Sequence, residues 1–250
     1  MSDRPTTAAA VPEVVNGWRV RHMATTANKV HHTMPGDDTG PEVWIHRPPG
    51  PALVLGSAQP DGLVHLERAA AAEIEVCRRR SGGGLVHLDP LRDCWIDLIV
   101  PAGSEHWHDD LGRAFHWVGE RWAAVLAELT AASPTVHRDA PSSPLGRVWC
   151  FGATGHGEVT IGGTKVVGLS QRRTRHWLRL QCLVLARWEV ETLRHLVDPA
   201  VARRHRPKVF ADIDPAELAA DQVRAGFPAG IEAPAPDLLA ATFVASLPPP

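Results

Sequence analysis

Two short stretches of this sequence carry side chains whose types and spacing could do chemistry. The first is Arg78-Arg79-Arg80-Ser81-Gly82-Gly83-Gly84. Consecutive glycines let the main chain approach a ligand closely and turn its N–H groups toward an anion or a carbonyl. The flanking guanidiniums can hold phosphate or carboxylate in bidentate fashion. The plain alternative is a solvated arginine run beside a turn. The spacing is neither that of a dinucleotide-binding fingerprint nor that of a Walker A loop. The second stretch is Gly162-Gly163-Thr164-Lys165-Val166-Val167-Gly168-Leu169-Ser170-Gln171-Arg172-Arg173. Here a Gly-Gly turn feeds a short apolar strand whose lone lysine follows the turn. An ammonium fixed there can stabilise negative charge developing on an acyl carbonyl or a phosphate, worth several kcal/mol in a water-poor site. The ordinary alternative is a surface lysine on a hairpin. Lysine is scarce, with only Lys29, Lys165 and Lys208 in the chain, so a lysine inside a motif is less readily filler.

The four cysteines, Cys77, Cys94, Cys150 and Cys182, are widely spaced and form no C-x-x-C pair. That pattern does not suggest a zinc site or a disulfide framework. In a reducing compartment they are small buried hydrophobes or, at most one of them, a nucleophile. Cys77, Cys94 and Cys182 stand in apolar, strand-like runs and fit the buried role.

The elements that must position these residues follow from periodicity and breakers. Residues 1–40 are rich in Thr, Pro, Gly and His and read as an irregular N-terminal segment. Short strands are expected at Glu42–Ile45 and Ala52–Gly56 across a proline-rich loop, then a helix at Leu63–Ala72 and a strand at Glu73–Cys77. That strand runs into the glycine loop, and extended segments follow at Leu85–His87 and Cys94–Val100. Asp109 or Asp110 can cap a long helix in which Leu111, Phe115, Val118, Trp122, Val125, Leu126 and Leu129 recur at intervals of three or four. A Pro/Ser linker at Ala140–Pro144 leads to a strand at Arg147–Phe151, a hairpin turning at Gly162-Gly163, and a strand at Trp177–Leu185. Helices at Val190–Val197, Pro215–Ala225 and Asp237–Leu247 close the chain.

Both stretches resemble the lipoate-protein ligase and octanoyltransferase family. Arg78, Arg79, Ser81, Gly82, Gly83 and Gly84 match its R-R-x-S/T-G-G-G loop, and Val86 and Asp89 fit the A-V-x-H-D continuation, in which Leu88 replaces the histidine. The second stretch is similar, almost position for position, to G-x-K-I/V-x-G-x-A/S-Q-x-R. The resemblance implies that Lys165 is catalytic and that Arg78, Arg79, Ser81, Gly82, Gly83, Gly84, Val86, Gly168, Ser170, Gln171 and Arg173 bind substrate, with no metal site. Cys150 precedes Lys165 by fifteen positions, which resembles the octanoyltransferase branch and implies a nucleophile that carries the acyl group as a thioester. The neighbouring lysine would favour its thiolate. Ser57 after the early Leu-Gly, Leu88, and Gln181-Cys182-Leu183 in place of Q-H-G are departures from the family pattern.

The same resemblance implies an α+β fold, a mixed, largely antiparallel sheet flanked by helices, like the catalytic domain shared by class II synthetase-type biotin and lipoate ligases. It implies a catalytic domain over 41–197, with 198–250 a helical tail packed on it. The implied activity is transfer of an octanoyl or lipoyl group from acyl carrier protein to the lysine of a lipoyl domain or a glycine-cleavage H-type protein, with no cofactor. The alternatives are an ATP- and magnesium-dependent lipoate ligase acting through lipoyl-adenylate, and a divergent, non-catalytic acyl-binding module.

Composition sets the outer limits. With 250 residues, 44% hydrophobic and 22% charged, the chain can bury a large core without disulfides or metals. A net charge of -2 argues against nucleic acid as a partner. No apolar run is long enough to span a bilayer, and the N-terminus lacks the order of a signal peptide, so no membrane partner and a cytoplasmic location are expected.

Overall fold

The computed structural model describes residues 13–140, 143–206, 208–211 and 213–250. Among these residues, eleven strands form two sheets. The larger has the order β1-β2-β3-β7-β11-β10-β9-β8, and the smaller has the order β5-β4-β6. The large sheet is built from β1 (Val14–Val15), β2 (Trp18–Met23), β3 (Glu42–His46), β7 (Cys94–Pro101), β8 (Pro134–Val136), β9 (Val159–Ile161), β10 (Thr164–Arg173) and β11 (Trp177–Val184). All its pairings are antiparallel except β2 with β3. The small sheet holds β4 (Ala52–Leu55), parallel to β5 (Glu75–Arg78) and antiparallel to β6 (Val86–Leu88). The helices are α1 (Ala27–His32), α2 (Leu66–Ala71), α3 (Arg113–Thr130), α4 (Val190–Leu196), α5 (Pro199–His205) and α6 (Pro236–Ser246). None of the described helices is long and apolar enough to cross a membrane.

Two apolar layers hold this arrangement. On one face of the large sheet, Ile96, Leu98, Leu178 and Leu180 pack against α3 and α6, where Trp122 and Phe243 stack with ring centroids 4.0 Å apart. The predicted stripe of α3 supplies Val118, Trp122, Val125 and Leu126 to this core, while Leu111 is exposed ahead of the helix. Asp110 accepts the Arg113 N–H at 2.8 Å. The helix ends at Ala131, whose φ of 53° is left-handed. A second core gathers Leu53, Leu63, Leu85, Trp149 and Leu193 around the small sheet.

Four sequence expectations need correction. Residues 14–32 are not irregular: β1, β2 and α1 lie there, because β2 gains its ladder from β3, a strand some twenty residues on. Residues 1–12 lie outside the described residues. The expected strand at Arg147–Phe151 is two 3-10 turns, Pro144–Arg147 and Cys150–Gly152, opened by the Ser143 hydroxyl accepting the Leu145 N–H. Part of the linker before it, 141–142, is also outside the description. The expected helix at Pro215–Ala225 is likewise two 3-10 turns. Two indoles draw the chain out of helical register there, Trp149 Nε1 donating to Leu218 O and Trp188 Nε1 to Ala220 O, each at 2.8 Å. Finally, α5 has no counterpart among the expected elements, whereas the large sheet is mixed, largely antiparallel and flanked by helices as expected, with a three-stranded sheet beside it.

Candidate active site

The β9–β10 hairpin turns at Gly162-Gly163, both at positive φ, and pairs Thr164 with Ile161 and Lys165 with Thr160. A register shift between Lys165 and Val167 then re-aims the lysine. Its side chain is buried, 3% exposed. Nζ donates to Cys150 O at 2.8 Å and to Ala153 O at 2.9 Å, and lies 2.5 Å from Glu158 Oε2. An ammonium has three protons, and here three oxygens receive them. The charge also sits 4.9 Å from the Phe151 ring centroid. Space for this comes from Gly168, where a Cβ would lie 2.9 Å from the Phe151 ring.

Glu158 is a site residue that motif reasoning missed. Its Oε2 accepts the Gly155 N–H at 2.7 Å and its Oε1 the Leu169 N–H at 3.0 Å, so one carboxylate ties a turn, β10 and the lysine together. The signal was available in the hairpin arithmetic. With Val159 opposite Val167, the preceding residue must stand beside Gly168 and Leu169.

The glycine loop docks against the same corner. A Cβ on Gly84 would lie 2.5 Å from the Trp149 carbonyl carbon, so only glycine lets the loop reach this depth. Cys150 N donates to Leu85 O at 2.7 Å just beyond it. The two arginines brace the loop: Arg79 donates to Gly82 O, Gly84 O and Val54 O, and Arg78 to Gly56 O, Gln59 O and Asp61. Their guanidiniums are thus engaged with carbonyls and one carboxylate of the chain itself. Ser81 Oγ donates to Ser170 Oγ at 3.3 Å. Gln171 and Arg173 turn elsewhere, Gln171 donating to Leu111 O and Arg173 to Asp109 O, and they brace the loop ahead of α3.

Of the four cysteines, Cys150 is the one that is not buried. Burial pushes the thiols of Cys77 and Cys94 up to about 12, and raises that of Cys182 as well. Cys150 lies where two spaces meet. One is a mostly apolar slot between the sheets, lined by Val54, Val86, Leu88, Gly168 and Leu183. The other is a wider mouth bordered by Gly82–Gly84, Ser143, Arg147, His156 and Lys165. Cys150, Arg79, Leu169 and Ser170 border both. The structure therefore brings the glycine loop, Lys165, Cys150, Val86, Gly168 and Ser170 to one place, while Arg78, Gln171 and Arg173 act as braces around it.

Behind the slot the large sheet is polar. Asp97, fully buried, receives Arg179 Nε at 2.7 Å, Trp95 Nε1 at 3.0 Å and Gln181 Nε2 at 3.4 Å, and His46 Nε2 lies 3.0 Å away. Burial alone would raise the Asp97 carboxyl, but the Arg179 charge and then His46 hold it below the usual carboxylate range. Gln181 continues through Ser170 to Ser81, so hydrogen bonds run from Asp97 to the glycine loop.

The chain's fold is shared with solved lipoate ligases. It is similar to a bipartite lipoate protein ligase from Thermoplasma acidophilum, described with its E2 lipoyl domain, at a TM-score of 0.62 and 12% identity, covering 92% of this chain and 82% of that one. A second T. acidophilum structure, with lipoic acid bound, matches at a TM-score of 0.55 and 16% identity over 80% of each chain. A lipoate-protein ligase A bound with ATP matches at 0.54 and 14% identity, over 92% of this chain and 99% of that one. A comparison with curated protein sequences found no match. The family model for the lipoyl protein ligase A/B catalytic domain matches residues 23–216, which is most of the chain. The chain belongs to that family, and is an enzyme of the lipoate ligase and octanoyltransferase type.

Proposed function

We propose that the protein is an acyltransferase of lipoate metabolism that carries an octanoyl or lipoyl group as a thioester on Cys150 and delivers it to the lysine of a lipoyl carrier domain. The observation that carries this reading is the place of Cys150, the unburied cysteine, at the junction of slot and mouth. The acyl chain occupies the slot with its carbonyl at the sulfur. The Cys150 sulfur attacks the thioester of an acyl carrier protein; the new C–S bond forms, the carrier's C–S bond breaks, and the Cys150 proton ends on the departing carrier thiol. The acceptor lysine amine then attacks the Cys150 thioester, an amide forms, and a proton from the amine restores the thiol.

Each step places transient negative charge on the carbonyl oxygen. Lys165 supports it in two ways. It fixes the Cys150–Ala153 turn through two carbonyls, and its ammonium can exchange one of those partners for the oxyanion. The likeness to a ligase described with its E2 lipoyl domain supports a lipoyl domain as acceptor.

The mouth favours a second reading, ATP-dependent ligation, because it leaves room beyond the slot beside the Gly82–Gly84 main chain and the exposed Arg147. The residues present do not suit a protein-held magnesium ion: both oxygens of Glu158, the carboxylate at the mouth, already accept N–H groups. Acylation of a lipoyl domain separates the readings. Transfer from octanoyl-carrier protein without ATP is expected. Transfer only from free lipoate with ATP, with pyrophosphate released, would replace the transferase by the ligase.

A further inference from the structure

The inner end of the slot is not apolar. His31 of α1 lines it beside Val54, Leu88 and Gln181, is 7% exposed, and stacks on Trp95 with centroids 4.8 Å apart. Its ring nitrogens have no hydrogen-bond partner among the described residues. Burial lowers its pKa to about 3, so the imidazole is neutral at ordinary pH and offers one donor and one acceptor.

The placement is built. A six-residue helix does not hold itself together. Glu75 of the small sheet accepts the Ala27 and Asn28 N–H groups at 2.8 and 3.1 Å, and Arg179 of the large sheet donates to Val30 O and Thr33 O at the other end. These charges match the helix dipole at each terminus. Trp95 pairs with Leu183 and Leu183 with Gly168, so His31 stands two strand spacings, about 10 Å, from the Lys165 end of the slot.

We propose that His31 is a specificity-determining residue, and that the slot takes a medium-length acyl group bearing a hydrogen-bonding substituent, a hydroxyl or thiol, toward its far end in preference to the unsubstituted chain. This rests on the reading that the slot holds the acyl chain. A plain alkyl end would cover the imidazole and leave both its nitrogens unpaired, whereas a hydroxyl or thiol satisfies one of them.

Binding of octanoate, ω-hydroxyoctanoate and dihydrolipoate to the full chain, followed by calorimetry, tests this. The wild type is expected to bind at least one substituted acid about tenfold more tightly than octanoate. His31→Leu removes that gap by tightening octanoate and weakening the others, and His31→Gln, which keeps a donor and an acceptor, retains part of it. Equal affinities in the wild type, or a ratio unmoved by His31→Leu in a variant that unfolds cooperatively, overturns the role of His31 while leaving the acyl slot in place. If none of the three acids binds the wild type, the slot reading itself fails and the inference with it.

Discussion

The two faces of β11 differ sharply. Leu178, Leu180, Cys182 and Val184 face α3 and α6 within an apolar core, whereas Arg179, Gln181 and Leu183 face the small sheet. The first face follows the rule of a half-buried strand and could be exchanged for other apolar residues of similar volume. The second breaks the rule. It buries a guanidinium and an amide against the Asp97 carboxylate of β7, at a place where apolar side chains would pack well, and such departures gather where a fold does its work. The apolar face holds the sheet together, and the polar face sets the shape and chemistry of the slot.

Breaking the polar face near the mouth should cost activity above all. Lys165→Ala is expected to lower kcat for acyl transfer by about 10²–10³-fold, the range for loss of a group that stabilises an oxyanion. Steady-state transfer to a lipoyl domain measures it, and a variant within a few fold of wild type would remove Lys165 from the chemistry. Further back, Arg179→Leu takes the guanidinium from the buried Asp97 carboxylate, leaving it only Trp95, Gln181 and His46, and frees the C-terminal end of α1. A loss of about 3–5 kcal/mol in urea unfolding is expected. On the opposite face, Leu180→Ala should cost about 2–5 kcal/mol by the same measurement and leave the acyl-chain preference unchanged. If that preference moved as well, the two faces would not be separable as described.

Much of the site is legible in the sequence because its motifs are local. The glycine loop, Lys165 after its Gly-Gly turn, and Cys150 fifteen residues earlier each announce themselves within a few positions. Glu158 is less visible, since its relation to Lys165 appears only once the hairpin register is written out. His31, Asp97 and Arg179 are not legible at all. They lie on α1, β7 and β11, far apart in the chain, and Asp97 is hidden in a run that otherwise reads as apolar. The fold shows the same division. The α3 stripe and the β9–β10 hairpin depend on neighbours in sequence. The β2 strand depends on β3, and the 3-10 turns after Asp214 depend on two distant indoles.

A smaller effect sharpens the comparison through pH. Because the folded-state pKa of His31 is about 3, the unfolded chain binds a proton between about pH 6.5 and 3 that the native chain does not. Stability therefore falls as pH drops through that window, at up to about 1.4 kcal/mol per pH unit from this residue. Burial lowers His46 and His87 as well, and they act in the same direction. His31→Leu should flatten the slope by one proton's worth in denaturant titrations at several pH values, and an unchanged slope would mean that His31 titrates normally in the folded state.

The most direct test is the mass of the enzyme itself after brief exposure to octanoyl-carrier protein without ATP, followed by fragmentation to locate the adduct. The mass should rise by one octanoyl group carried on Cys150, the adduct should vanish on addition of a lipoyl domain, and Cys150→Ser should show none. An unmodified enzyme that nonetheless acylates the lipoyl domain, or an adduct on another residue, would contradict the Cys150 thioester.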